Sequence, residues 1–317
     1  MKGVFMQHFK HILFPSQAVR KQSGALQQGL QLIQENKAKL TIAVFQPETP
    51  KALSVYQESI QAAMTEAIHK EIDALCRQYA WDSAALTSDI AITLLRGQHF
   101  ASESIRFAMR NNCDIVIKDV EDVEKGLHAV DMAMLRKCPL PVWLCRDSHQ
   151  NVLGREHIAV AIDPLSEEPA GRDLAIELLK VSASLSERRS ATLHLLSCWD
   201  CKWERWARQN AFVSIPDSEV NAQVEEARAG HAEALESLIA ASGIEAPALH
   251  IKKGKAETLI PAMLEDIGAS TIVMGTVART GIPGFVIGNT AESIVQRVQC
   301  SVLAAKPNGF VSPVEAY

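Results

Sequence analysis

The stretch from Thr271 to Val298 reads TIVMGTVARTGIPGFVIGNTAESIVQRV. The β-prone run Thr271-Ile-Val-Met274 stops at Gly275. Gly281, Gly284 and Gly288 follow, and Asn289-Thr290-Ala-Glu292 opens an amphipathic stretch. A strand that feeds a helix through a glycine-rich loop suits an anion, because the first N–H groups of a helix have no partner within it and that end carries a partial positive charge. Gly275 has no side chain, so a sugar or phosphate can approach its backbone, and Arg279 adds a positive charge. The same residues also have a structural reading. Asn289 and Glu292 have the spacing of a capping box, which satisfies those N–H groups internally, and Gly281, Pro283 and Gly284 make turns.

Asp163 closes the run IAVAID and Cys198 ends the run ATLHLLSC. In a doubly wound sheet, ligands bind at the carboxyl ends of the strands. An acid there bonds a ribose hydroxyl or a base, or else caps a helix starting near Pro164. Cys198-Trp-Asp-Cys201 is a CxxC, but it supplies only two of the four ligands that structural zinc wants, so it is read as packing. Trp199, Trp203 and Trp206 follow the same run. They are read as core or interdomain packing, with the lip of an apolar groove as the alternative. The chain contains no GxxxxGK[ST], GxSxG or HExxH. No catalytic residue and no metal site are expected.

The elements that position these residues come from an internal repeat. KHILFPSQ in the first half answers EHIAVAIDP in the second, and AKLTIAVFQP answers ATLHLLSCWD. ITLLRGQHFASESI answers HIKKGKAETLI, and MLRKCPLPVWL answers IVQRVQCSVLA. A long helical stretch follows the second strand of each half; in the second half Val224, Ala227, Leu235, Leu238 and Ile239 fall near helical spacing. Each half therefore reads β-α-β-α-β-α-β-α-β, an α/β pattern that predicts a doubly wound, five-stranded parallel sheet with helices on both faces. The join falls in the polar stretch Arg146 to Glu156, which gives domains 1–150 and 151–317.

The chain has 317 residues, 47% hydrophobic and 22% charged, with net charge −5. That fits a globular protein with a sizeable core and gives no electrostatic footprint for nucleic acid. No apolar run reaches the roughly 20 residues of a membrane span. The N-terminus, interrupted by His8, Lys10 and His11, makes a poor signal peptide. The seven cysteines are scattered through apolar strands and read as reduced thiols. A cytoplasmic location is expected.

The second half resembles the universal stress protein family, and the phrases GTVARTGIPGFVIGNTAE and LRKCPLPVWL resemble its tandem, two-domain branch. Nucleotide-binding members carry Gly, two residues, Gly, nine residues, then Gly-Ser or Gly-Thr. Here the spacing is Gly275, two residues, Ala278, nine residues, Gly288-Asn289, preceded by the strand IVMG and accompanied by Asp163. The resemblance implies two tandem Rossmann-like domains of the adenine nucleotide alpha hydrolase type. It also implies a stress-response regulatory or protective role. ATP or another adenine nucleotide would then sit in the second domain. Asp163 would contact the adenosine, the Cys198 backbone the adenine edge, and Met274 and Gly275 the ribose. Ala278, Arg279, Gly288, Asn289 and Thr290 would surround the phosphates. Two positions depart from the pattern: Ala278 replaces a glycine and Asn289 replaces a hydroxyl residue.

In the first half, Ser16 or Gln17 takes the place of Asp163, and Lys118 or Asp119 that of Gly275. The loop VEDVEKGLHAVD has one glycine and several acids, a poor phosphate cradle. No nucleotide is expected there. Members of the family dimerise through their last strand, so PVWLCR and SVLAAK are expected to meet as an intramolecular pseudo-dimer; a further homodimer stays open. The readings left beside nucleotide binding are a protein-interaction scaffold and a binder of another small or lipid ligand. Weak ATP hydrolysis or autophosphorylation is the most activity that the resemblance implies.

Overall fold

A computed structural model describes residues 9–17, 23–47, 55–121, 129–146, 156–166, 168–210, 213–276 and 287–316. The first half runs β1 (His11–Ser16), α1 (Gly24–Asn36), β2 (Lys39–Pro47), α2 (Gln57–Tyr79), α3 (Ser83–Thr87), β3 (Ile90–Gly97), α4 (Phe100–Arg110), β4 (Ile115–Asp119), α5 (Ala129–Lys137) and β5 (Val142–Cys145). The second half runs β6 (His157–Ala161), α6 (Pro169–Arg188), β7 (Thr192–Trp199), α7 (Lys202–Gln209), α8 (Asp217–Ser242), β8 (Ala248–Lys253), α9 (Ala256–Ile267), β9 (Thr271–Gly275), α10 (Asn289–Arg297) and β10 (Ser301–Ala305). The repeated pattern read from the sequence is present, with the short helices α3 and α7 added. The expected join lies largely outside the described residues, which omit 147–155.

All ten strands form one sheet in the order β3-β2-β1-β4-β5-β10-β9-β6-β7-β8. Within each half the neighbours are parallel; the halves meet where β5 and β10 pair antiparallel, Val302 with Leu144, Leu303 with Trp143 and Ala304 with Val142. This register maps onto itself when residue n of β5 is exchanged with residue n + 160 of β10, so a pseudo-twofold passes through the Trp143–Leu303 pair. The strands expected to meet do meet, and each covers an apolar edge that the other would leave open.

The central strands are buried on both faces, as continuous apolar runs in parallel sheets require: β4 and β9 are buried through their first four residues, all apolar but Lys118 and Thr271. One apolar core lies on each face of the sheet, and both contain residues of the two halves. The junction carries further contacts between the halves. The Arg189 guanidinium lies 5.1 Å from the centroid of the buried Trp143 ring, and Arg136 of α5 pairs with Glu292 of α10. Lys306 donates to the carbonyls of Leu135 and Cys138 at 2.6 Å each, a cation on the last turn of α5.

The long helix α8 buries Val220, His231, Leu235, Leu238 and Ser242 and ends at Gly243, whose φ of +67° suits a glycine stop. Val224 and Ala227, expected on its apolar face, are only half-buried. His231 takes a place on that face instead.

Candidate ligand site

The register assembles the expected residues at one edge of the sheet. Ala161 pairs with Leu196 on one side and with Met274 on the other. Continued one and two residues further, this places Ile162 beside Gly275 and Asp163 beside Cys198. Asp163, Cys198, Met274 and Gly275 therefore lie on or just beyond three adjacent strands at their carboxyl ends, where ligands of doubly wound sheets bind. The start of α10 is tied to the same edge: the Gly288 N–H donates to the Thr276 carbonyl at 2.8 Å, which brings Gly288, Asn289 and Thr290 beside β9. Ala278 and Arg279 lie outside the described residues.

The capping-box alternative is not realised. The residue that caps α10 is Gly288, not Asn289, and it has no side chain with which to bond the first-turn N–H groups. Glu292 turns toward Arg136 of the first half, which offsets its charge. Without a capping side chain, a helix start presents the donors that an anion site requires. Asp163 caps no helix either: α6 is preceded by Glu168, and an Asp163 carboxylate oxygen accepts the Leu165 N–H at 3.1 Å, closing a local turn.

Other expected roles are narrowed. Met274 is 3% exposed and packs in the core, so it offers a ligand only its backbone. A Cβ on Gly275 would lie 3.0 Å from Leu174 Cδ2 of α6. Close helix packing is therefore a second reason for glycine here. Burial pushes the Cys198 thiol up to about 11, so the group is neutral at physiological pH and carries no thiolate chemistry. Cys198 and Cys201 are both free thiols. Among the described residues, no three His, Cys, Asp or Glu side chains gather as metal ligands. Trp203 and Trp206, read first as packing, are 41% and 56% exposed. They project from α7, which follows directly on the carboxyl end of β7.

The first half resolves differently. Through the twofold register, Val116 matches Ile272 and Leu13 matches Ala159. Asp119 therefore stands in the place of Gly275, Lys118 in that of Met274, and Gln17 in that of Asp163. Asp119 accepts the Ser23 hydroxyl at 2.6 Å and the Ala25 N–H at 2.8 Å, so its carboxylate is held on the start of α1. Lys118 is buried and donates to Asp131 at 2.7 Å; Asp131 takes the place of Ala291 in α10. A cavity of about 120 Å³ remains at this edge, lined by Phe14, Gln17, Phe100, Lys118, Asp119 and Glu121 among others. Two carboxylates in its wall disfavour a phosphate.

Two polar arrangements escaped the sequence. At the opposite end of the second-half strands, His157 Nδ1 lies 2.9 Å from His194 Nε2, and His194 Nδ1 lies 2.9 Å from His250 Nε2. Burial, then the neighbouring His250 and His157, hold the middle ring below the usual histidine pKa. Near the ligand edge, Ser197 Oγ lies 2.9 Å from His231 Nε2 and donates to the Ile162 carbonyl at 2.7 Å. Ser197 is fully buried, so it is no nucleophile despite its histidine neighbour. The signal for both was a polar residue inside an apolar run: His194 and Ser197 in β7, His231 on the inner face of α8.

Comparison with known proteins agrees with this architecture. Residues 154–306 match the model of the universal stress protein family. A Universal stress protein E of Photorhabdus laumondii is 26% identical over 321 residues, covering 98% of this chain and 99% of its own length. The Universal stress protein E of Escherichia coli K12 is 32% identical over 208 residues, 64% of this chain; the match spans 63% of that relative, less than two thirds. A solved structure from Pseudomonas aeruginosa UCBPP-PA14 superposes with a TM-score of 0.70 at 22% identity, over 96% of this chain and 95% of its own, a likeness of fold.

Proposed function

We propose that the chain is a cytoplasmic, tandem stress-response protein of the universal stress protein family, which its second half matches, and that it binds one adenine nucleotide per chain. The unit 151–317 holds the nucleotide at the edge formed by β6, β7, β9 and the start of α10. The unit 1–150 keeps the fold without the site. Asp163 and the backbone at Cys198 face the adenosine part. The first turn of α10, with Gly288, Asn289 and Thr290, faces the phosphates, and Ala278 and Arg279 belong to the loop beside them. Occupancy acts on the protein's interactions, and no turnover is assigned.

The observation that carries this reading is the contrast between the two carboxyl edges. In the second half Gly275 brings no charge to that edge and α10 opens at Gly288 without a side-chain cap, whereas in the first half the Asp119 carboxylate stands in the place of Gly275. An open helix start attracts phosphate and a carboxylate repels it. Calorimetric titration of the full chain with ATP, AMP and adenosine tests it. One site per chain is expected, and two equivalent sites would refute it.

The exposed Trp203, Trp206, Leu165 and Val213 favour a second reading. All four follow the carboxyl ends of β6 and β7, and they suit an apolar ligand or a protein contact at the same edge. Mass spectrometry of small molecules retained by the natively purified chain separates the two, since an adenine nucleotide and an apolar compound differ in mass and charge.

A further inference from the structure

We propose that His231 is a positioning residue for the second-half ligand site, holding the Ile162–Asp163 end of β6 through Ser197. The inference deepens the nucleotide reading and rests on it.

A count of hydrogens fixes the arrangement. The Ile162 carbonyl can only accept, so the single hydroxyl hydrogen of Ser197 goes to it, at 2.7 Å. Ser197 Oγ is then an acceptor toward His231, and the hydrogen between them belongs to Nε2, at 2.9 Å. Burial holds the ring neutral, and its Nδ1 then bears a lone pair. His231 is 1% exposed, and Nδ1 has no hydrogen-bond partner among the described residues. Such a buried orphan acceptor costs stability unless a donor reaches it.

The relay ends one residue before Asp163. The bonded carbonyl belongs to the peptide that joins Ile162 to Asp163, so fixing its plane fixes where the acid's backbone starts. Burial pushes the His231 pKa down and the Asp163 carboxylate works against it. His231 rides on α8, Ser197 on β7 and Asp163 at the end of β6, so the coupling spans three elements.

The first half offers an internal control. The register that matches Leu40 with Leu193 puts Val44 where Ser197 stands. Val44 is 2% exposed, and an apolar residue therefore fills this place without difficulty. The polar pair is present in the half that keeps the acid and absent from the half where Gln17 replaces it.

The test uses the full chain, the variants His231→Leu, His231→Gln, Ser197→Val and Asp163→Asn, and two readouts. Imidazole ¹⁵N shifts of the free protein should report the Nε2–H tautomer and a pKa below that of a free histidine, which falls further in Asp163→Asn. For ATP, Ser197→Val and His231→Leu should each weaken binding about tenfold, the size of one lost buried hydrogen bond. The double variant should be no worse than either single one. His231→Gln, which keeps a donor to Ser197, should recover to within about threefold of wild type. A His231 titration unmoved by Asp163→Asn would overturn the proposal. So would ATP affinity that is the same in wild type, Ser197→Val and His231→Leu. If wild-type chain takes no ATP, the nucleotide reading fails, and the titration alone decides whether His231 serves Asp163.

Discussion

Asp119 and Gly275 occupy the same place in the two halves of the sheet, one residue before the N–H that each half's last strand receives: Val120 to Cys145 and Thr276 to Ala305, both at 3.0 Å. One position holds a carboxylate bound to the start of α1; the other holds no side chain, and α6 packs against it. The asymmetry between the halves is concentrated at this point.

Replacing Asp119 with glycine should therefore remove a helix cap without creating a ligand site. A lost cap costs about 1–2 kcal/mol, read as a lower urea midpoint with unchanged slope. ATP stoichiometry should stay at one per chain, because Lys118 and Asp131 still fill the floor of that edge. A second ATP site in Asp119→Gly would contradict this.

The Lys118–Asp131 pair makes a sharper energetic prediction. Both side chains are buried, at 6% and 0% exposure. Asp131→Ala alone strands a buried ammonium and should cost about 3 kcal/mol or more. The double change Lys118→Met with Asp131→Ala installs the residues that the second half uses, Met274 and Ala291. It should recover most of that loss, a coupling that a double-mutant cycle measures directly. Additive losses would show that the pair is not a unit.

Asn289→Asp separates the phosphate-binding and connector readings by sign. A carboxylate in the first turn of α10 stabilises the helix by a few tenths to about 1 kcal/mol. The same charge repels a phosphate, so ATP should bind about tenfold more weakly while adenosine is little affected. Thermal unfolding and calorimetry together check it. A raised melting temperature with unchanged ATP affinity would return the glycine spacing to a connector.

Much of the fold was legible because the repeat doubles every signal. Alternation of apolar runs and helical stretches in both halves marked the ten strands, while the meeting of PVWLCR and SVLAAK was expected from the family resemblance and not from the pattern itself. The first-half register was not legible: Ser16 or Gln17, and Lys118 or Asp119, differ by one residue, and only strand pairing decides such a shift. Asn289 looked like a cap because spacing records a possible bond and not which residue turns into the helix. The tryptophans of α7 looked like core because the sequence does not reveal which face a two-turn helix presents. The histidine row was hidden because His157, His194 and His250 are neighbours only after three strands align.

The histidine row sets a pH dependence. Burial lowers the folded-state pKa of His194 below the ordinary value of 6.5, and that of His231 likewise. Below that value the unfolded chain binds protons that the folded chain refuses. Their contribution is thus fully present above about pH 6.5 and is lost as pH falls toward and through the lowered folded values. Urea midpoints should decline from pH 7.5 to 5.5, and His194→Gln should flatten the decline. A stability independent of pH across this window would contradict the burial of these rings.

The most direct measurement is calorimetric titration of ATP into the full wild-type chain, repeated with Asn289→Asp and with Asp119→Gly. One ATP per chain is expected, weakened about tenfold by the change at α10 and left at one per chain by the change in the first half. Two sites per chain, no ATP bound at all, or a site that responds to Asp119 and ignores Asn289 would contradict it.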